Sequence, residues 1–219
     1  MPAVGIPIAF PDYKIGVFGI GVPMLGHAGV LIIDQNGGTL YYEYGRYKQF
    51  GSLGGVVKRT IPDVKIGKDG HPTQDSLTAT LKQISIKAAH NTRILGGYIT
   101  TPGKFKLMKS YIMKRFNENK DSKRRAYELL SNSCMTFAKK TIEAAGLSMP
   151  SGFIPSPWDW IEDVQDRYPD LGYVKGGSVS VDHINGEEKH VPEWSNQKSW
   201  AKATWEGDSV TKRQTATGK

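Results

Sequence analysis

Cysteine is nearly absent from this chain of 219 residues: Cys134 is the only one. A single thiol excludes an intramolecular disulfide and a zinc site built on several cysteines. No apolar run approaches the ~18–20 residues of a membrane-spanning helix. The first residues, MPAVGIPIAFPDYK, lack a basic leader, and Pro7 and Pro11 interrupt their short apolar stretch. A secretory signal peptide is therefore not expected there. The chain is expected to be made and folded in a cytoplasm and, if it acts elsewhere, to leave by another route. No internal repeat is visible. The length suits one domain with a core large enough to fold without staples.

Acidic residues are outnumbered, with 29 Lys and Arg against 21 Asp and Glu. The imbalance is local. From Gly103 to Lys140 there are eleven basic residues against Glu118, Asp121 and Glu128, which equals the whole net charge of +8. Such a stretch is either a solvated helix face with a basic loop, or a surface for an anionic partner such as nucleic acid, an acidic membrane or a carboxylate-rich polymer. Nucleic-acid readers interleave aromatic residues with the basic ones. Here Phe105, Tyr111 and Phe116 fall on the apolar side of a helical pattern, so specific nucleic-acid binding is not expected.

Period-two patterning predicts strands in residues 13–34, with a turn at Val22-Pro23, and a return strand in TLYYEYGRY after the turn signal Asn36-Gly37-Gly38. Another strand is expected from Val56 to Val64 and one from Arg93 to Thr100. Asp75 reads as the cap of a helix whose apolar stripe is Leu77, Leu81, Ile84 and Ala88. A second helix follows Pro102-Gly103, with Phe105, Met108, Ile112 and Phe116 on one side. A third starts near Cys134, packs Met135, Ala138, Ile142 and Ala145 inward and stops at Gly146. A short helix is expected over Pro157 to Val164. The fold class is α+β, an antiparallel sheet packed on the helix that carries Cys134. The expected division is a catalytic domain over residues 1–175 and a polar extension over 176–219, loosely packed or partly disordered, with some docking through Trp194, Trp200 and Trp205. Trp158 and Trp160 cluster as a wall beside a substrate.

Cys134 follows Asn132-Ser133, either of which suits a helix N-cap, so the sulfur falls in a first helical turn. Unpaired N–H groups and the positive end of the helix favour a thiolate there. A free cysteine taken alone is commonly a small buried apolar residue; a nucleophile also needs a base. Among five histidines, His27 stands out because it opens the apolar strand of Gly26-His27-Ala28-Gly29-Val30-Leu31. A base needs an orienting group. Glu43 is the only carboxylate in Tyr41-Tyr42-Glu43-Tyr44, on the strand returning beside His27. A three-residue turn pairing Gln35 with Thr39 puts Glu43 on the face of His27. A two-residue turn sends it to the other face. Both remain open from the sequence.

The His strand, the Glu strand and the later Tyr-x-Leu-Leu-x-Asn-x-Cys-x-x-Phe-Ala segment together resemble the circularly permuted NlpC/P60 branch of the papain-like superfamily, in which His precedes Cys. With YYEYGRY and PTQDSLTATLKQIS, residues 13–147 look most like bacterial type VI secretion effectors that attack peptidoglycan. The resemblance implies a permuted papain-like fold and a cysteine hydrolase that cuts amide bonds of cell-wall peptides without a cofactor or metal. By position it makes Cys134 the nucleophile, His27 the general base and Glu43 the third member. Ser133 separates Asn132 from Cys134 where many relatives have Asn immediately before Cys, so no role carries over to Asn132. It further implies export by the type VI machinery, action in a target cell's periplasm and a cognate immunity protein. The same residue order also occurs in lipid acyltransferases and ubiquitin-like proteases, and a basic binding protein without activity is the third alternative.

Overall fold

The structure, a computed structural model, describes residues 2–13, 15–17, 20–22, 26–151, 156–184 and 190–198. Its centre is an open, mostly antiparallel sheet in the order β11-β10-β9-β7-β1-β4-β5-β6, with β8 also paired to β1. The strands are β1 (Val4–Phe10), β4 (His27–Ile33), β5 (Thr39–Gly45), β6 (Gly55–Arg59), β7 (Ile94–Gly97), β8 (Ile99–Thr100), β9 (Asp170–Tyr173), β10 (Ser180–His183) and β11 (Asn196–Gln197). Two short strands, β2 (Ile15–Val17) and β3 (Ile20–Val22), pair only with each other. Pro23 of the predicted Val22-Pro23 turn, Trp200 and Trp205 lie outside the described residues, while Val22 ends β3.

Alternation along the strands gives the sheet two apolar faces. Ile6, Ile8, Phe10, Leu31, Ile33 and Tyr41 pack against Leu77, Leu81 and Ile84 of helix α1 (Gln74–Ala89). Ala9, Val30, Ile32, Tyr42 and Tyr44 pack against three helices on the opposite face. These are α2 (Phe105–Asn117), α3 (Cys134–Glu143) and α4 (Pro157–Gln165). The α+β expectation and the positions of the helices hold. Thr73 rather than Asp75 occupies the N-cap position of α1, without a side-chain capping bond, and Asp75 lies in the first turn. The buried stripe of α3 runs through Phe137, Ala138, Thr141 and Ile142, with Met135 only half-buried.

The sheet is larger than the sequence pattern suggests at both chain ends. The apolar N-terminus forms β1, paired along its whole length with β4 despite Pro7. On its other side the ladder is interrupted opposite Ile6 and Pro7, between β7 and β8. There Tyr98 donates its N–H to Pro169 instead. A strand can hold a proline where no partner awaits its missing N–H. At the far edge, β9, β10 and β11 extend the sheet, and Val179, Val181 and Val191 join the core shared with α1. The 175/176 division therefore falls inside the hairpin of β9 and β10. Trp194 docks by donating its indole N–H to the Pro72 carbonyl at 2.8 Å. Trp160 is fully buried in the core under α4, which removes it as a substrate wall. Trp158 lies half-buried beneath the Arg93 guanidinium, 4.8 Å from its ring centre.

Candidate active site

The turn joining β4 to β5 decides which way Glu43 points. The Asp34 carboxylate accepts from the N–H groups of Asn36 (2.8 Å) and Gly38 (2.9 Å). Gly37 takes φ 90°, a conformation that disfavours a side chain, and a Cβ there would collide with the Val64 carbonyl. Asp34 and Gly38 then close a three-residue loop, and the ladder runs Ile33–Thr39, Leu31–Tyr41, Gly29–Glu43. The register is offset from the Gln35–Thr39 pairing but keeps its parity. His27, Gly29, Tyr41 and Glu43 thus share one face, with Glu43 diagonal to His27. Gly29 makes the space for this arrangement, since a Cβ on it would lie 2.2 Å from the Tyr41 hydroxyl.

Glu43 is completely buried and receives donors on both oxygens. Its Oε2 accepts from His27 Nε2–H at 3.1 Å and from the Tyr41 hydroxyl at 3.3 Å. Its Oε1 accepts from Arg59 Nε–H at 2.7 Å and also pairs with the second guanidinium nitrogen. Burial by itself would raise the Glu43 carboxyl; His27 and Arg59 outweigh it and hold the group below the usual carboxylate range. The His27 ring stacks on Phe10 at 6.1 Å, and Tyr13 lies tilted over it at 5.4 Å. The Tyr47 hydroxyl stands 3.5 Å from His27 Nε2.

The nucleophile candidate arrives from the other face of the sheet. Ser133 caps α3 in a reciprocal box, with Ser133 N–H donating to Thr136 Oγ1 at 2.7 Å and Thr136 N–H donating back to Ser133 Oγ at 3.4 Å. Cys134 is therefore the first helical residue. Its sulfur lies at the start of β4, close enough to the Ala28 N–H and the His27 ring for both to act on its ionisation. Because Nε2 is turned to Glu43, Nδ1 is the nitrogen left for the thiol. Burial alone would push the Cys134 thiol up, but His27, the Tyr127 hydroxyl and the Ala28 N–H together hold it below its usual range. Burial alone would lower His27, yet the bonds to Cys134 and Glu43 raise it well above the ordinary imidazole value. The two adjacent groups are shifted in opposite directions, the sense that favours a thiolate–imidazolium pair.

The structure thus brings Cys134, His27 and Glu43 together. It adds residues that periodicity does not single out. Tyr127 donates to the sulfur at 3.8 Å, and its ring packs on Tyr44 at 5.4 Å. Arg59 ends β6 directly opposite Tyr41. The one sequence cue to it is a lone arginine in an inward position of the strand Gly55-Val56-Val57-Lys58-Arg59.

Asn132, to which no role carried over by position, holds the turn that leads into Cys134. Its Nδ2 donates to the Tyr44 hydroxyl (3.0 Å) and to the carbonyls of Arg125 (3.1 Å) and Ala126 (2.7 Å). Its Oδ1 accepts from Arg115 at 3.0 Å. Asn132→Ala leaves these buried groups unpaired, so unfolding free energy should fall by about 3 kcal/mol in a denaturant titration. A loss below about 0.5 kcal/mol, the size of an ordinary surface change, would contradict this role.

Part of the basic stretch also has structural work. Arg115 covers the Tyr44 ring, and Arg124 donates to the carbonyls of Gly54, Asn119 and Asp121. Lys104, Lys106, Lys109, Lys120, Lys123 and Arg125 remain exposed. Among the described residues, no cluster of His, Cys, Asp or Glu could hold a metal ion, and no helix is long and apolar enough to cross a membrane.

Residues 5–148 match the sequence profile of TseH-like type VI secretion system effectors. The crystal structure of the type VI secretion system effector TseH superposes with a TM-score of 0.71 at 35% sequence identity. The match covers 80% of this chain and 93% of that one. No curated protein matches. A profile that spans two thirds of the chain, with a solved relative of this identity and coverage, shows the family: the chain belongs to the TseH-like type VI secretion effectors.

Proposed function

We propose that this effector is a cysteine hydrolase of the permuted NlpC/P60 kind that cuts amide bonds in the peptide stems of peptidoglycan. The observation that carries the reading is a lone thiol at a capped helix start, beside an imidazole whose far nitrogen is held by a buried carboxylate. The Cys134 thiolate attacks the peptide carbonyl carbon and forms a tetrahedral oxyanion. The Cys134 backbone N–H, in the first helical turn where the helix offers it no acceptor, and the Tyr127 hydroxyl beside the sulfur can donate to that charge. The His27 imidazolium then gives its proton to the leaving amine, the C–N bond breaks and a thioester remains. Neutral His27 next takes a proton from water, the hydroxide attacks the thioester, and the acid product leaves with the thiolate restored.

Family membership brings a type VI secretion machinery, delivery into target cells and an immunity partner in the producer. The periplasm follows as the place of action if the substrate is peptidoglycan. The exposed lysines of α2 and the loop after it suit an anionic wall polymer.

The test is a digest of purified sacculi, read by chromatography and mass spectrometry, with the native chain and with folded Cys134→Ala. New stem-peptide fragments made by the native chain alone are expected, and their masses name the bond. Equal fragment patterns from both proteins would overturn the thiol mechanism. Absence of fragments from both would overturn peptidoglycan as the substrate.

A further inference from the structure

Arg59 lies outside the set of residues through which thiol hydrolysis runs, yet its placement is specific. Glu43 has two oxygens with separate duties: Oε2 faces His27 and Tyr41, while Oε1 is taken wholly by the Arg59 guanidinium. The guanidinium is itself held over the Tyr47 ring, 5.6 Å from its centre. Register supports the contact, because β6 pairs Arg59 with Tyr41 and Val57 with Glu43, so Arg59 stands on the face that carries His27. The Arg59 side chain is about one-third exposed (31%), whereas the carboxylate it holds is not exposed at all. A fork that fixes one carboxylate oxygen leaves the other with a single orientation.

We infer that Arg59 is a positioning residue of the thiol site, one that keeps Glu43 ionised and aimed at His27. This inference rests on the Cys134–His27 reading above. The alternative, that Arg59 only fills the β6 end of the sheet, makes a different prediction about pH. The titratable groups around the pair come from every neighbouring element. They are Tyr13 after β1, Tyr41 and Tyr47 on and after β5, and Tyr127 before α3. Burial raises all four tyrosines, so they stay neutral while the pair titrates. His90 reaches the site only through its stack on Tyr13. Arg59 is then the fixed positive charge beside three groups that change charge: Glu43, His27 and Cys134. Removing a positive charge makes each of them harder to deprotonate. Both limbs of the pH profile of the ionised pair therefore move to higher pH. A group that only packs would change stability and leave the limbs in place.

The measurement needs no substrate. Cys134 is the only cysteine, so the rate of alkylation by iodoacetamide reports it alone. In the native chain the thiol should react at pH well below an ordinary thiol's range. In Arg59→Gln both limbs should shift upward by about one pH unit, the size expected of a nearby charge at an effective dielectric of about 20. Arg59→Lys, which keeps the charge, should stay within about 0.3 unit of the native profile. Glu43→Gln and the double variant Glu43→Gln/Arg59→Gln repeat the comparison with no buried carboxylate left unpaired. The double variant should shift from its Glu43→Gln parent by less than Arg59→Gln shifts from the native chain, because Arg59 acts on the pair through the carboxylate it holds. Unmoved limbs in Arg59→Gln, or an equal shift in the Glu43→Gln background, would overturn the positioning role of Arg59. An ordinary thiol profile in the native chain would instead overturn the Cys134–His27 reading beneath it.

Discussion

His27→Ala is expected to lower hydrolysis of sacculi by about 10⁴-fold, the range seen when a general base and its charge are both removed. The reasoning starts from the sulfur. Cys134 is 4% exposed, and burial alone would push its thiol up. The dominant opposing influence is His27, through a hydrogen bond and through charge. Without the imidazole, the Tyr127 hydroxyl and the Ala28 N–H are left, and burial prevails. The thiol then lies above its ordinary range and the thiolate is scarce at neutral pH. The leaving amine also loses its proton donor, so acylation suffers twice. Two pH profiles separate this account from simple damage. The native chain should show a plateau between the lowered Cys134 value and the raised His27 value. Residual activity in His27→Ala should have no plateau and should climb into the alkaline range, where thiolate finally forms. A variant within about tenfold of native, or one that keeps the plateau, would remove His27 from the mechanism.

The sequence makes the chemistry of this site more legible than its geometry. A cysteine after a capping serine, and a histidine flanked by glycines at a strand start, are local patterns, and the structure keeps both where they were expected. The face on which Glu43 stands hangs on a turn, which no local pattern decides. Asp34 settles it by binding the N–H groups of Asn36 and Gly38, and Gly37 is free to take the required conformation. That resolution depends on the loop at Asp63 as well, whose carboxylate accepts from Thr39 N–H at 2.8 Å. No local pattern around residue 36 announces a partner so far along the chain. Arg59 carries little local signal, and Tyr127 is part of the segment before Cys134 without its role being legible there; both roles arise from strand register and helix docking.

The end strands escaped for other reasons. Pro7 argues against a central strand, and only a ladder broken opposite it makes β1 admissible. The strands β9 to β11 are at most four residues long and rich in polar side chains, so period-two patterning has little length in which to appear. Their burial comes from the rest of the sheet. Leu171, Val179 and Val181 belong to the core beneath α1, which is far away in sequence. Trp160 shows the opposite failure. Two nearby tryptophans suggested a surface cluster, but they sit two apart on a helix, which points them about 200° apart. One is buried in the core and the other is covered by Arg93.

Glu43→Ala should be the most destabilising single change in the site, by about 3–5 kcal/mol, the cost of removing one partner from a buried ion pair. A domain is commonly stable by only about 5–15 kcal/mol, so this is a large fraction of the whole. The deletion strands the Arg59 guanidinium, the His27 ring and the Tyr41 hydroxyl, which all donate to this carboxylate. Glu43→Gln keeps an acceptor and the shape, and should cost about 2 kcal/mol. The loss depends on pH in a direction that the shifts determine. The Glu43 carboxyl is lowered from 4.5 in the folded chain, so its stabilisation is complete above about pH 4.5 and disappears as pH falls through the folded value. His27 is raised from 6.5, so its share is complete below about pH 6.5 and is lost as pH rises through the folded value. The gap between native and Glu43→Ala should thus be widest between about pH 4.5 and 6.5 and should narrow on both sides. Urea unfolding of the two proteins across pH measures that gap directly. A constant gap would mean that the cost of Glu43→Ala is lost packing, and that the carboxylate does not hold the imidazolium.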